Sequence, residues 1–384
     1  MLSPFVRLAA IVILVLSPLT PLAGRLAAQS DDDTEERTTV GGYGEVQYLN
    51  ASGADTPGEV NVRRFVVYLA HTFSQKLTFR GELELEDALI AGGEEGGEVA
   101  LEQAYLDYQL SPAFTLRTGL VLPPIGIINE THEPPTFNGV ERPAFDQFVI
   151  PSTWREIGVG ATGAIPGSVG LSYRVYVVNG LRAEGFSGAN GIRGGRQEGR
   201  EASFTNPSLT GRLEWTRPGF QVGGSFWYGG SANKNPALGT GAFDNSVALV
   251  SADARYDNGP VSLRGVFANL SIADAEAINT LYGGQVGSRI AGGYVEGAYN
   301  LLSVVARKSR QRLDAFARYE HFNTQAGVPT AVTRDETLAR RIATVGLTYK
   351  PVYNVVFKGD YRIRRNQAGL GEDEVIGLGV GYQF

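Results

Sequence analysis

The sequence predicts an all-β fold, a transmembrane antiparallel β-barrel of sixteen strands. Three observations predict it. Short segments in which apolar and polar residues alternate recur along the chain. The connections between them are long and short by turns. The 50 glycines, 17 tyrosines and 18 phenylalanines among 384 residues suit tight turns and strand ends, whereas helices tolerate so much glycine only at a cost. The segment 375–384 shows the pattern plainly. Ile376, Leu378, Val380, Tyr382 and Phe384 share one face, and Gly377, Gly379, Gly381 and Gln383 the other. Apolar outside, small or polar inside and aromatic at the end is the pattern of a membrane-barrel wall.

Residues 1–28 read as a secretory signal peptide. Arg7 gives a basic flank, an apolar run covers 8–16, and small residues lead to Ala27-Ala28-Gln29, with cleavage expected after Ala28. The apolar run is too short to serve as an anchor, and prolines follow it. Losing Arg7 and Arg25 takes the formal charge from −6 to −8, so the exported form is acidic. Residues 29–39, with Asp31-Asp32-Asp33 and Glu35-Glu36, read as a solvated periplasmic lead-in to a barrel over 40–384. No other segment approaches eighteen uninterrupted apolar residues, which excludes a helical membrane protein.

The expected strands run over 40–50, 61–72, 76–87, 98–110, 113–122, 154–164, 169–178 and 207–216 in the first half. The second half continues with 219–229, 243–257, 260–270, 288–299, 313–323, 337–350, 352–365 and 374–384. In the third, Phe79, Leu83 and Leu85 oppose Arg80, Glu82, Glu84 and Glu86. In the fifteenth, Val355, Phe357, Tyr361 and Ile363 oppose Lys358, Asp360, Arg362 and Arg364. Charge on one face and bulk on the other mean a sheet wet on one side. Tight turns stand at Ser111-Pro112, Ile165-Pro166-Gly167, Arg217-Pro218-Gly219, Asn258-Gly259 and Lys350-Pro351. Between them lie long connections at 51–60, 88–97, 123–153, 179–206, 230–242, 271–287, 324–336 and 366–373. Long outer loops and short periplasmic turns are the asymmetry of an outer-membrane barrel, and an even strand count puts both termini in the periplasm. Only 301–312 breaks the rhythm, as a small helix or an extended hairpin. Sixteen strands leave an aqueous lumen.

Nothing points to an enzyme, a cofactor or a nucleic-acid partner. The chain has no cysteine, so disulfides, thiolate metal sites and thiol nucleophiles are excluded. His71, His132 and His321 lie far apart and not at metal-ligand spacing, so no metal is expected. Gly41-Gly42-Tyr43-Gly44 sits in a strand with no helix after it, so it is no phosphate-binding fingerprint.

The third long connection, 123–153, carries Ile125, Ile127, Ile128, Phe137, Phe145, Phe148, Val149 and Ile150 among prolines. Such a segment makes a poor exposed flap and is expected to fold into the lumen as a constriction, too short to occlude it. By alternation Arg64, Arg80, Arg174, Arg212, Arg255, Arg264, Arg318, Lys358, Arg362 and Arg364 face inward, with Arg117 beside them and Arg142 on the constriction loop. Guanidinium forks suit oxyanions, so these are the candidate anion-guiding residues. The same wall carries Glu82, Glu84, Glu86, Asp107, Glu214, Asp253, Glu320 and Asp360. A wet wall must be polar whatever passes through it, so this row marks wetness before selectivity.

Several short elements resemble the phosphate-selective porin O and P family of Gram-negative outer membranes. They are the glycine-rich first strand, Val62-Arg63-Arg64-Phe65, Arg117-Thr118-Gly119, Glu141-Arg142-Pro143, Arg155-Glu156-Ile157-Gly158-Val159 and the terminal Tyr382-Gln383-Phe384. The resemblance implies an outer-membrane porin for passive diffusion of small hydrophilic solutes, commonly a homotrimer set in lipid and lipopolysaccharide. It also implies a preference for anions or phosphate through lumenal arginines and lysines. The chain departs from that pattern in holding only five lysines: Lys76, Lys234, Lys308, Lys350 and Lys358. The alternative is a non-conducting outer-membrane barrel that binds a partner or serves a structural role through its loops. The stretch 179–206, with Arg182, Arg193, Arg196 and Arg200 among glycines, favours it.

Overall fold

Alternation along each segment becomes a wall because every strand finds its partner next in sequence. The computed structural model describes residues 36–52, 58–87 and 97–384. The expected signal peptide and most of the lead-in lie outside those residues. The strands are β1 (Arg37–Ala51), β2 (Glu59–Thr72), β3 (Leu77–Glu86), β4 (Glu98–Ser111), β5 (Phe114–Val121), β6 (Glu156–Ala164), β7 (Leu171–Val178) and β8 (Ser208–Arg217). They continue as β9 (Phe220–Gly229), β10 (Val247–Asn258), β11 (Val261–Ile272), β12 (Arg289–Asn300), β13 (Arg312–Gly327), β14 (Ala339–Val352), β15 (Val355–Asn366) and β16 (Asp373–Gln383). All neighbours pair antiparallel. β1 joins β16 to close the barrel, with Tyr43 opposite Gln383 and Ala51 opposite Val375. Closure satisfies backbone groups between strands, the condition for crossing a bilayer with strands.

The strand bounds match expectation within a few residues. β1 starts at Arg37, taking the end of the expected lead-in into the wall. β10 starts at Val247 because Asp244 accepts from the Gly241 N–H (2.6 Å) and Asn245 has a φ of 50°, a turn that holds the chain out of the sheet. The irregular 301–312 contains a one-turn helix, Leu302–Val305, and the Leu301 N–H bonds the Leu313 carbonyl (2.8 Å). The tight turns share one rim with the longer 301–311, and the other eight connections share the opposite rim.

The two faces differ as alternation requires. Val60, Leu213, Val250, Phe267, Val295, Val345 and Leu378 are exposed on the outside. Arg64, Glu84, Arg212, Asp253, Arg318 and Asp360 are buried on the inside. No helix among the described residues is long and apolar enough to cross a membrane. The wall itself is the membrane-spanning element.

Candidate functional site

The lumen is crossed by the third loop, residues 122–155, between β5 and β6. The loop turns inward because its apolar residues find partners there. Ile125, Ile127, Ile128, Phe137, Phe145, Val149, Ile150 and Trp154 are all buried, in one cluster with wall residues Tyr176, Trp227, Leu249 and Leu270. Trp154 and Trp227 meet with ring centroids 4.3 Å apart. Asn129 ties the loop's two ends together, donating to the Pro123 carbonyl (2.8 Å) and the Trp154 carbonyl (3.1 Å). Its side-chain Oδ1 accepts from the Trp154 N–H (2.7 Å).

Beyond that cluster the loop is held by charge. The Val140 N–H donates to Asp360 (2.6 Å), and the Phe145 N–H to Glu320 (2.9 Å). Arg255 bonds the Ile127 carbonyl (2.9 Å), Arg264 that of Thr136 (3.2 Å), and Lys350 that of Pro135 (2.6 Å). The glycines of β16 have their reason here. A Cβ on Gly377 or Gly379 would stand 3.1 or 3.2 Å from Val140, and one on Gly381 only 2.4 Å from Pro134. Bare backbone on that strand is what lets the loop lie against the wall.

The inward arginines are largely spent on carboxylates. Arg64 bonds Glu45 (2.7 Å) and Glu84 (3.1 Å), with Glu86 at 3.9 Å. Arg117 forks onto Asp107 (2.8 and 2.9 Å) and lies 4.0 Å over the Tyr105 ring. Arg174 bridges Glu130 (3.3 Å) and Glu214 (3.0 Å). Arg212 forks onto Asp253 (2.6 and 2.7 Å) and also reaches Glu214 (2.8 Å). Arg318 joins Glu296 (3.2 Å) and Glu320 (3.0 Å). Arg362 pairs with Asp360 (3.1 Å) and with Glu141 of the loop. Lys358 sits 3.6 Å over the Phe137 ring. Arg142 donates to the His132 carbonyl (3.1 Å), Arg364 pairs with Asp373 at the rim, and Arg80 is exposed toward the short-turn end.

Open spaces lie on either side of the loop. Toward the short turns, a cavity of about 420 Å³ is lined by Arg80 and Arg117 against Glu82, Glu130 and Glu133. Toward the long loops, a vestibule of about 740 Å³ carries Arg142, Arg318, Arg340, Arg362, Arg364 and Arg365 against Glu141, Glu320 and Asp373. That lining carries a cationic excess, although Arg365 is also paired with Glu372 (3.4 Å) and Glu374 (3.0 Å) beside it. The arginine-rich stretch 179–206 faces inward in part: Arg193 donates to the Ser152 carbonyl (2.7 Å) and Arg196 to that of Thr153 (3.1 Å). Those two hold the constriction loop and are not presented to an outside partner.

Sequence reasoning missed Glu45, Glu102, Glu296 and His132. Glu45 and Glu296 were available from strand alternation. Glu102 was not, because β4 carries a bulge there: Glu82 opposes Gln103 while Leu83 opposes Leu101, so Glu102 is the extra residue. Unbroken alternation back from Asp107 would turn Glu102 to the outside. The bulge turns it in, fully buried, with Leu101 outside. There His132 Nε2 lies 3.2 Å from Glu102 and 3.5 Å from Glu82. Burial works against its imidazolium, but the two carboxylates outweigh it and raise the pKa to about 10.

No family model matches the chain. In fold, the barrel is similar to the loop L8 deletion mutant of OmpT, an outer membrane protein of Vibrio cholerae, at TM-score 0.57 and 12% identity over 91% of this chain and 100% of that one. Salmonella typhi OmpF in complex with daunomycin gives 0.58 and 15% over 90% and 97%. The outer membrane channel DcaP of Acinetobacter baumannii gives 0.57 and 13% over 92% and 98%. At these identities the likeness is one of fold. In sequence, the chain is 33% identical over 370 residues to a protein of Aquifex aeolicus (strain VF5) described as an uncharacterized protein, spanning 93% of this chain and 82% of that one. The chain belongs to the same family as that Aquifex aeolicus protein.

Proposed function

We propose that this protein is an outer-membrane porin of a Gram-negative bacterium, through which small hydrophilic solutes diffuse with a preference for anions. It catalyses no reaction; its work is to hold a wet path open across lipid and lipopolysaccharide. The observation that carries the reading is the arginine excess in the long-loop vestibule, set over the polar lumen of a sixteen-stranded barrel. A cationic mouth with low-dielectric walls concentrates anions ahead of the constriction. The short elements that resemble the phosphate-selective porin O and P family support phosphate as a candidate solute. The apolar outer wall supports assembly as a homotrimer.

The deciding experiment is the reversal potential of the refolded protein in a planar bilayer under a potassium chloride gradient, repeated with phosphate added. Anion preference with phosphate reducing the chloride current is expected. Cation preference would refute the reading, and anion preference untouched by phosphate would remove phosphate alone. A second reading, a non-conducting barrel with a structural role, is favoured by one observation: the apolar packing of Ile125, Ile127, Phe145 and Ile150 inside the lumen. Absence of stepwise conductance from correctly folded protein would support it.

A further inference from the structure

We propose that Glu82, Glu102 and His132 form a binding site for one divalent transition-metal ion of the zinc type, which clips the third loop to the barrel wall. The three side chains come from β3, β4 and the loop, and one donor atom of each lies within 4.8 Å of the others. Metal bonds of about 2.0–2.1 Å at tetrahedral angles set ligand atoms about 3.3–3.4 Å apart. His132 Nε2 stands 3.2 Å from Glu102 Oε2 and 3.5 Å from Glu82 Oε1, which brackets that separation.

The groups behind the three ligands point the same way. His132 Nδ1 lies 3.1 Å from the Asn129 carbonyl, so it carries the hydrogen and Nε2 is left facing the carboxylates. Gln103 donates to Glu82 Oε2 (2.6 Å) and leaves Oε1 toward the imidazole. A ligating imidazole and a ligating carboxylate each characteristically have the remote atom tied in this way. Within the pocket Glu82 Oε1 and Glu102 Oε1 are buried and accept no hydrogen bond, and neither does the fully buried hydroxyl of Tyr43, whose ring meets the imidazole edge-on at 6.1 Å. Buried carboxylate oxygens left bare are costly. A cation held by one donor atom each of Glu82, Glu102 and His132 offsets the two buried negative charges and gives Glu82 Oε1 the partner it lacks. The donor set selects the metal. One imidazole and two carboxylates, all buried, suit zinc-type ions, whereas calcium asks for six to eight oxygens.

The test uses the full mature chain folded in detergent without a histidine tag, stripped with chelator, incubated with zinc chloride, desalted and assayed for metal. One zinc per chain is expected. Glu102→Gln and His132→Gln should retain under a tenth of it, His321→Ala should retain it all, and calcium should not be retained by any. Gln103→Leu should weaken zinc affinity about 10–100-fold. Absence of zinc from the wild-type chain, or equal retention by Glu102→Gln, would overturn the proposal. If the ligand variants do not fold, X-ray absorption on the zinc-loaded wild type decides: one imidazole with oxygen ligands supports the site, and two or more imidazoles overturn it. Metal retention is measured without any current, so this inference and the porin reading fail separately.

Discussion

Replacing Arg318 with methionine measures how firmly charge holds the constriction. The side chain is buried and makes three bonds: to Glu320 (3.0 Å), to Glu296 (3.2 Å) and to the Asn138 carbonyl on the loop (3.3 Å). Removing one partner of a buried ion pair costs about 3–5 kcal/mol, because the other charge is left without compensation. Here both carboxylates keep something. Glu296 retains Arg264 (3.2 Å) and the Asn138 amide (3.0 Å), and Glu320 retains the Phe145 N–H (2.9 Å). The expected loss is therefore at the low end, about 3 kcal/mol. Adding Glu320→Gln removes the charge left bare while keeping an acceptor for Phe145, so the double variant should recover roughly half, about 1.5 kcal/mol. Urea unfolding in lipid vesicles, at low and high salt, reads both numbers. A buried pair is little screened, so salt should barely change them. A loss under about 1 kcal/mol that vanishes in salt would refute the argument, placing Arg318 in water and not in a clamp.

Three further perturbations test other parts of the structure. Gly381→Leu puts a Cβ 2.4 Å from Pro134 and 3.1 Å from Val356, so it should cost about 1–3 kcal/mol and loosen the loop; single-channel recordings should show raised current noise, and a silent, fully stable variant would count against the packing. Val345→Arg, mid-strand on the outer wall of β14, should lose about 2–4 kcal/mol in vesicles, whereas a water-facing wall would accept it. Asp146, on the constriction loop, has its carboxyl raised well above the usual range, first by burial and then by Glu320. The unfolded chain releases the carboxyl proton near pH 4, so stability is full below that point and falls as pH rises toward the folded value. Asp146→Asn should therefore melt higher than wild type at pH 8, with the gap closing toward pH 4; a gap that widens on acidification would reverse the assignment.

How much of this was legible in the sequence depends on distance along the chain. A strand displays its two faces in its own residues, and neighbours in a meander are neighbours in sequence. The strand count, the two rims and the inward set from Arg64 to Arg364 follow from that local periodicity. The constriction loop was legible for a different reason, since Ile125, Ile127, Phe145 and Ile150 had nowhere apolar to go but inward. What could not be read is which side chains meet across the lumen. The contact of Asn138 with Glu296 spans 158 residues, and that of Val140 with Asp360 spans 220. Spacing said nothing of His132 meeting Glu82 and Glu102, and at Glu102 periodicity pointed the wrong way because a bulge carries no strong residue signature.

That division also changes what the arginine row means. Read as a row, it looks like a ladder for anions. In the fold Arg64, Arg117, Arg174, Arg212, Arg318 and Arg362 each bind a carboxylate, and Arg212 and Arg318 also hold the loop backbone. A guanidinium paired within the wall offers a passing anion little of its charge, since the anion must compete with a carboxylate already in place. The proposed anion preference then rests on the vestibule arginines that pair with no carboxylate among the described residues, Arg142 and Arg340, because Arg364 is held by Asp373 and Arg365 by Glu372 (3.4 Å) and Glu374 (3.0 Å). Neutralising Arg142 and Arg340 together should move the reversal potential toward the cation side, while Arg212→Gln should change stability more than selectivity. The opposite result, with selectivity lost at Arg212 and kept at the mouth, would restore the ladder.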